Sequence, residues 1–189
     1  GLGAQLWLIR GSTAQAAMEA GGENGVDSRL STLQIDSEMG AAGITRTAGE
    51  VFSDLLEWNC AYLPALQIAD PEKTGGESVL LESGYGILRD GKLAGYLEGE
   101  SAKGLELLTG QTAEDVLRAE LPSGSAVARI TGAAVRCEPV FQGAELAQVH
   151  LFCRVTAELL EFQRPMSGEE LELLREFLEE QEELRLRQT

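Results

Sequence analysis

The sequence predicts an α+β fold in which antiparallel sheets pack against helices. Three observations carry this prediction: the turn dipeptide Asp90-Gly91, two capping boxes that begin amphipathic helices, and a long stretch of alternating apolar and polar residues. We expect two pieces within the 189 residues. Residues 1–120 form a domain of helices and a hairpin, and residues 125–189 form a long β-hairpin followed by a helix.

The first predicted elements are short. An apolar strand covers residues 5–10, and a hydroxyl of the Ser12-Thr13 pair caps a helix that runs through Glu19. Residues 21–43 are rich in glycine and weakly patterned, so they are predicted to form a loop with one short helix over residues 28–33.

The first capping box combines Thr47 with Glu50, a spacing at which the hydroxyl and the carboxylate each accept from a backbone N–H at the helix start. The helix that it begins ends near Trp58. Its predicted apolar stripe consists of Val51, Phe52, Leu55 and Leu56. A strand is predicted over residues 63–69, followed by a turn or linker over residues 70–76.

Residues 84–110 predict a tight β-hairpin that leads directly into a short helix over residues 100–108. The Asp90-Gly91 pair is typical of a two-residue turn in which both residues have positive φ. We expect Tyr85 and Tyr96 to face each other across this hairpin as a stabilising cross-strand pair.

Long strands dominate the second piece. Residues 126–138 and 147–162 are predicted to pair through a turn at Gln142-Gly143. The second strand alternates between apolar and polar residues, which is typical of a half-buried antiparallel strand with one wet face. Its apolar positions are Val149, Leu151, Cys153, Val155, Ala157 and Leu159.

Two further elements flank these strands. The polar stretch over residues 111–124 precedes them and is predicted to contain a helical turn over residues 113–119. After them, Ser167 and Glu170 form the second capping box. It begins the last helix, whose predicted core stripe is Leu171, Leu174, Phe177 and Leu178.

Composition narrows the classes of function. A net charge of −16 and a pI of about 4.4 argue against nucleic-acid binding and against electrostatic attachment to anionic lipid. No run reaches the ~18 apolar residues of a membrane span. The glutamates over residues 169–183 surround the apolar stripe of a helix, so a solvated helix face explains them better than a calcium loop does.

The three cysteines are Cys60, Cys137 and Cys153, and they lack the paired spacing of a structural zinc site. Cys137 and Cys153 lie on strands that are predicted to pair, so a disulfide between them is one alternative. Two free, half-buried thiols are the favoured alternative.

No residue pattern indicates catalysis. The single histidine, His150, lies on the polar face of a strand with no serine or cysteine nucleophile placed beside it. Gly84-x-Gly86 opens like a dinucleotide-binding fingerprint, but Arg89 replaces the third glycine and a hairpin follows instead of a helix. We expect these glycines to allow a bulge or close packing in the strand.

The acidic residues near the hairpin have structural explanations as well. Asp90 belongs to the turn, and Glu98 and Glu100 lie at the N-terminus of a predicted helix, where negative charge is favourable. We therefore predict no catalytic, cofactor-binding or metal-binding residue, and a protein that is not an enzyme.

Residues 84–110 resemble the middle segment of one family, the C subunits of bacterial spore germinant receptors, also called Ger(x)C proteins. The matching positions are Gly86, Lys92-Leu93, Gly95, Leu97, Glu100, Gly104 and Leu108-Thr109-Gly110. The preceding strand–helix unit, the helix that begins at Thr47 and the Leu63-Pro64 strand keep the order of the family. Departures occur at Tyr96, Lys103 and Glu106.

The resemblance implies a non-catalytic component of a spore germinant receptor complex that takes part in nutrient-triggered germination. It implies integral membrane subunits as partners, and a full-length lipoprotein anchored by a lipidated cysteine to the outer face of the spore inner membrane. The chain is expected to be a fragment, with the end of an N-terminal domain followed by the start of an incomplete C-terminal domain. The resemblance brings no catalytic residue, cofactor or nucleic acid.

An unrelated extracytoplasmic α+β domain that binds a small ligand, or an enzyme, is the alternative. This alternative predicts a deep apolar pocket with convergent polar groups and a perturbed pKa. The germination interpretation predicts an exposed protein-contact patch instead, on the strand faces of the second piece and the loops around the hairpin.

Overall fold

A computed structural model describes residues 1–20, 25–38, 43–70, 72, 78–111, 115–162 and 164–189. The fold is α+β, as the sequence predicts. The helices are α1 (Ala14–Glu19), α2 (Gly25–Glu38), α3 (Ala48–Trp58), α4 (Glu100–Thr109) and α5 (Gly168–Gln188). The strands are β1 (Gln5–Leu6), β2 (Leu8–Arg10), β3 (Arg46–Thr47), β4 (Cys60–Ile68), β5 (Leu80–Arg89), β6 (Lys92–Leu97), β7 (Asp115–Leu121), β8 (Gly124–Gln142) and β9 (Glu145–Glu161).

The chain divides into two compact units, Gly1–Ala102 and Lys103–Thr189. The domain limits expected from the sequence, 1–120 and 125–189, stay a prediction. Among the described helices, none is both long enough and apolar enough to cross a lipid bilayer.

The first unit holds a four-stranded sheet in the order β2-β4-β5-β6. The predicted strand over residues 5–10 is interrupted at Trp7, because β1 pairs with β3 while β2 pairs with β4. The β2–β4 pair is parallel, with Leu8 opposite Ala65, so this sheet is mixed where antiparallel pairing was expected.

The hairpin is confirmed, but its predicted tyrosine pair is wrong. Asp90 and Gly91 have φ of 53° and 69°, as the two-residue turn requires. A bulge at Ala94 then shifts the register of β6 by one residue, so Tyr85 lies opposite Leu97 and Tyr96 lies opposite Gly86. The ring of Tyr85 instead packs edge-on against Tyr62, with ring centroids 6.0 Å apart.

Helix α2 corrects the loop predicted over residues 21–43, although residues 21–24 and 39–42 lie outside the described part of the chain. Its residues Val26, Leu30 and Leu33 follow helical spacing and pack against a cluster that contains Leu66 and Leu80 of the sheet. Packing against the sheet thus overrides a weak local pattern. The turn predicted over residues 70–76 lies mostly outside the described residues.

The capping box of α3 is confirmed. The Glu50 N–H donates to Thr47 Oγ1 at 3.3 Å, and the Thr47 N–H donates to the Glu50 carboxylate at 2.7 Å. The backbone and hydroxyl hydrogen bonds from Thr47 lower the pKa of Glu50. Val51 is buried against Ala61 and Leu63, but its neighbour Phe52 is 56% exposed and lies off the core stripe.

The second unit is a three-stranded sheet in the order β7-β8-β9 with α5 packed against it. β7 replaces the helical turn predicted over residues 113–119, of which 113 and 114 lie outside the described residues. Ala119 of this strand packs with Ala126 of β8 and Leu174 of α5 in a buried cluster. Pairing with β8 and coverage by α5 therefore fix this segment as a strand in place of the predicted helical turn.

Candidate functional site

One side of β9 forms an open apolar surface of the second unit, which we call the β9 face. It consists of the alternating residues Val149, Leu151, Cys153, Val155, Ala157 and Leu159. The sequence predicts a half-buried strand with one wet face, so this apolar side is expected to be covered, but Leu151 is 48% and Leu159 is 41% exposed. Cys153 and Val155 alone among the six are partly covered. The predicted alternation is present, and most of its apolar side lacks cover.

The pairing of the strands explains why the β9 face is open. β7 pairs with β8 only from Gly124 to Ile130, so the rest of β8 and β9 continue as a two-stranded ribbon. Helix α5 packs over Ala119 and Ala126, on the β7 side of the sheet. One helix is about 10 Å wide and strands lie about 4.8 Å apart, so α5 has the width to cover two strands and not a third.

The β9 face and α5 together form a groove of about 760 Å³. Its apolar lining comprises Ala128, Leu151, Cys153, Val155, Ala157 and Leu159 from the sheet, with Leu171, Leu174, Leu178 and Leu186 from the helix. Leu171, predicted to belong to the core, is 50% exposed here. Charged residues line the groove at Arg154, Arg175, Glu179, Glu182 and Glu183.

Glu182 belongs to an ionic cluster that is largely buried. Arg185 Nη1 binds Glu182 Oε1 at 2.7 Å, and the same nitrogen binds Asp115, which also accepts from Lys103. Glu182 and Arg185 are each only 4% exposed. Burial raises the pKa of Glu182, Asp115 adds to that rise, and Arg185 opposes it.

One oxygen of this cluster is unsatisfied. Glu182 Oε2 is buried and has no hydrogen-bond partner among the described residues. A buried carboxylate oxygen without a partner costs roughly 1–3 kcal/mol, so a donor entering the groove would gain an interaction there. This feature was not predicted, because Glu182 belongs to a run of glutamates that a solvated helix face explains by sequence alone.

The thiols are free, as the sequence favours, but of the two that were expected to be half-buried only Cys153 is partly buried, whereas Cys137 is exposed. Cys153 lies opposite Val135 and Cys137 lies opposite Leu151, so the two cysteines are not cross-strand partners. Burial raises the pKa of Cys153, and the Glu182 charge raises it further. A thiol of raised pKa holds little thiolate, which makes Cys153 a poor nucleophile.

The glycines of the Gly84-x-Gly86 pattern serve close packing, as expected. Gly84 has φ +69° in a bulge where β5 has two residues opposite Ala65. A Cβ there would overlap the Leu97 carbonyl oxygen, and a Cβ on Gly86 would lie 2.5 Å from Leu8 Cδ2. Both positions therefore require glycine for the path of the backbone and for packing.

Other positions of the family-like segment also have structural roles. Gly104 lies where α4 approaches the end of α5, and a Cβ there would lie 2.8 Å from the Arg185 carbonyl oxygen. Gly110 has φ +73° directly after α4, the conformation of a glycine helix stop. The segment thus encodes turns and close contacts.

The remaining candidate residues do not converge on a site. His150 is exposed and lies opposite Glu138. Glu98 binds Arg10 at 2.6 Å, while Asp90 stays in its turn and Glu100 begins α4. Within the described residues, no group of three or more His, Cys, Asp or Glu side chains is arranged to hold a metal ion.

A second open apolar patch lies on α3 in the first unit. Phe52, Leu56 and Trp58 are all exposed, and Leu56 reaches 88%. Phe52 and Leu56 were predicted to belong to the apolar stripe of this helix together with Val51 and Leu55, and for these two residues the prediction is wrong. Only the Val51 side of α3 meets β4, so the neighbouring side remains open.

Comparison with known proteins bears on the fold. No protein-family model matches the chain, and no curated protein sequence matches it either. Among solved structures, the crystal structure of the GerBC protein is similar, with a TM-score of 0.61 at 18% identity. The match covers 76% of this chain and 44% of the GerBC chain. Over that part of its length the chain therefore has a GerBC-like fold, the fold of the germinant receptor C subunits that residues 84–110 resemble.

Proposed function

We propose that this chain is a non-catalytic component of a spore germinant receptor complex and takes part in nutrient-triggered germination. The observation that carries the proposal is the GerBC-like fold, together with the family-like segment over residues 84–110 that contains the Asp90-Gly91 turn. The match spans less than half of the GerBC chain, so the activity of a whole receptor subunit belongs to the proposal.

The partners in this proposal are the integral membrane subunits of the receptor. The full-length protein is a lipoprotein at the outer face of the spore inner membrane, held there by its lipid anchor. A net charge of −16 supports attachment through a covalent lipid anchor and protein contacts, because anionic lipid headgroups would repel the surface of the protein itself.

The geometry of the groove supports a binding role over catalysis. Its polar lining consists of the five charged side chains named above and the Cys153 thiol, whose pKa is raised. The Glu182 carboxylate is already bound by Arg185, and among the described lining residues no activated nucleophile lies beside a base. Its walls are also half-exposed leucines such as Leu151 and Leu171, which is typical of a protein-contact surface. The small-ligand and enzyme alternative predicts a deeper, enclosed site.

The test is the germination of spores that lack the complete gene. Dipicolinic acid release is measured after addition of each nutrient, in the deletion strain and in a strain complemented with the intact gene. The proposal predicts that at least one nutrient response disappears in the deletion strain and returns on complementation.

The deletion is also made in a strain that lacks redundant germinant receptors, because such receptors would otherwise hide the loss of this gene. Normal release with every nutrient in that background would overturn the proposal. A complementing gene with Gly84→Val, which is expected to unfold the first unit, serves as the folding-deficient control.

A further inference from the structure

The groove beside the β9 face has the dimensions of a helix-binding site. Its α5 wall runs from Leu171 to Leu186, which corresponds to about 22 Å at ~1.5 Å per residue. A second helix lying beside α5 would cover β9 just as α5 covers β7 and β8. A strand added to the edge of β9 would widen the sheet and leave the apolar side open.

The charge of the groove selects the kind of helix. Helix α5 carries eight glutamates and three arginines, and all three arginines already bind carboxylates, Arg185 within the buried cluster. Arg175 binds Glu172 at 2.6 Å and Glu179 at 3.2 Å, and Arg187 binds Glu183 at 2.5 Å. The wall facing the occupant therefore keeps an excess of negative charge, which favours lysine and arginine on the partner.

Glu182 supplies a specific contact inside the groove. Its Oε2 atom is buried without a partner among the described residues, while Oε1 is held by Arg185. A cationic side chain that reaches into the groove would satisfy this oxygen with a charge-assisted hydrogen bond.

A second copy of this chain is a poor occupant. Helix α3 carries an open apolar patch, and its charged residues are Glu50, Asp54 and Glu57, all acidic. Docking α3 against α5 would oppose like charges across the contact.

We propose that the groove between the β9 face and α5 binds a basic amphipathic helix of a partner protein. The apolar stripe of that helix lies on Leu151, Val155 and Leu159, and one of its lysines or arginines binds Glu182. This inference stands apart from the proposed function, since a partner of this chemistry need not belong to a germinant receptor.

The test uses a fluorescent Leu/Lys amphipathic peptide of roughly 16 residues, long enough to span the groove. Fluorescence anisotropy at about 0.15 M salt compares it with a Leu/Glu helix of the same apolar face, a scrambled Leu/Lys peptide and a proline-interrupted Leu/Lys peptide. The Leu/Lys helix is expected to bind at least about tenfold more tightly than each of the other three. Equal binding of the scrambled or proline-interrupted peptide would overturn the proposal.

Two matched variants locate the site. Leu151→Asp and Phe152→Asp alter neighbouring residues of β9 that are each 48% exposed but point to opposite sides of the strand. The proposal predicts at least about tenfold weaker binding for Leu151→Asp and little change for Phe152→Asp. Equal losses, or no loss for Leu151→Asp, would contradict it.

Glu182→Gln tests the cationic contact. This variant is expected to reduce the ratio of the affinity for the Leu/Lys peptide to the affinity for the Leu/Glu peptide. Leu151→Asp is expected to weaken the binding of both peptides. Circular dichroism checks that each variant is folded. An unchanged preference in folded Glu182→Gln would remove Glu182 from the proposal.

The free thiols give an independent readout. Cys153 lines the groove and Cys60 lies in the first unit, so bound Leu/Lys peptide should slow alkylation of Cys153 and leave Cys60 unaffected. Sedimentation of the chain alone tests whether a second copy of the chain occupies the groove. A dimer that is abolished by Leu151→Asp and kept by Phe152→Asp would assign the groove to a second copy and overturn the proposal.

Discussion

Asn59 and Asp90 hold each other in the left-handed conformation. They are the non-glycine residues with positive φ in the described part of the chain, at 54° and 53°. The Asp90 N–H donates to the Asn59 carbonyl at 3.0 Å, and the Asn59 side-chain amide donates to the Asp90 carboxylate. This pair joins the end of α3 to the turn of the β5–β6 hairpin, so a helix stop and a hairpin turn stabilise one another.

Replacing either residue with alanine should destabilise the first unit. Asn59→Ala and Asp90→Ala each keep a left-handed backbone at a cost of roughly 1–2 kcal/mol and also lose the shared hydrogen bond. A double-mutant cycle should show coupling of at least about 0.5 kcal/mol. Urea unfolding followed by tryptophan fluorescence reports on this unit, since both tryptophans, Trp7 and Trp58, lie in it. Strictly additive effects would show that the side-chain bond contributes nothing.

A series of glycine-to-alanine variants should separate backbone requirements from packing. Gly84→Ala combines φ +69° with overlap on a backbone oxygen, so we expect a loss of at least about 3 kcal/mol. Gly86→Ala meets the end of the Leu8 side chain, which has room to move, and should cost about 1 kcal/mol. Gly95→Ala has open space and serves as the control, with a change within about 0.5 kcal/mol.

The same fluorescence-detected urea unfolding measures this series. A Gly84→Ala variant as stable as Gly95→Ala would contradict the bulge assigned to β5 opposite Ala65.

Glu170 should make the second unit sensitive to acid. The Ser123 hydroxyl, the Ser167 N–H and Arg164 lower the pKa of this carboxyl to about 2. A carboxyl whose pKa is lower in the folded state stabilises that state above its ordinary pKa of 4.5, and this stability is lost as the pH falls from 4.5 toward 2. Glu170→Gln should remove that part of the pH dependence.

Far-UV circular dichroism during urea unfolding between pH 2 and pH 6 measures the effect. Glu169→Gln removes a charge from the same helical turn without touching the capping box and is the matched control. A Glu170→Gln variant with the native pH dependence would assign the acid transition to other carboxyls.

Local signals in the sequence predict local structure well in this chain. Both capping boxes and the Asp90-Gly91 turn form as predicted, because each depends on contacts among residues a few positions apart. The predicted cross-strand pair of Tyr85 with Tyr96 is wrong, because a bulge at Ala94 changes the register of β6 and the sequence of the turn gives no signal of it.

Features that depend on distant residues were not predicted. The cover over β9 depends on where α5 lies, so alternation alone identified the apolar side and not its exposure. The ionic cluster joins Asp115 to Arg185, which are 70 residues apart, and no spacing rule connects them. Lys103, one of the positions that depart from the family pattern, belongs to this cluster.

The ionic cluster should contribute strongly to the stability of the second unit. Asp115 accepts hydrogen bonds from both Lys103 and Arg185, and Arg185 is almost completely buried. Asp115→Asn removes one of the two carboxylates that bind Arg185 Nη1 and should cost about 3 kcal/mol, because a buried cation then loses part of its charge compensation. Urea unfolding at neutral pH, followed by far-UV circular dichroism, measures this loss.

An exposed ion pair on the same strand provides the comparison. Arg118 and Glu120 are separated by 3.2 Å, and their side chains are 71% and 73% exposed. Glu120→Gln should therefore change the free energy of unfolding by less than about 0.5 kcal/mol, because water and salt screen this pair. If Asp115→Asn costs no more than Glu120→Gln, then water reaches Arg185 in solution and the cluster does not tie α5 to β7. A sixfold or larger difference between the two variants would instead show that burial, and not the presence of opposite charges, sets the strength of each pair.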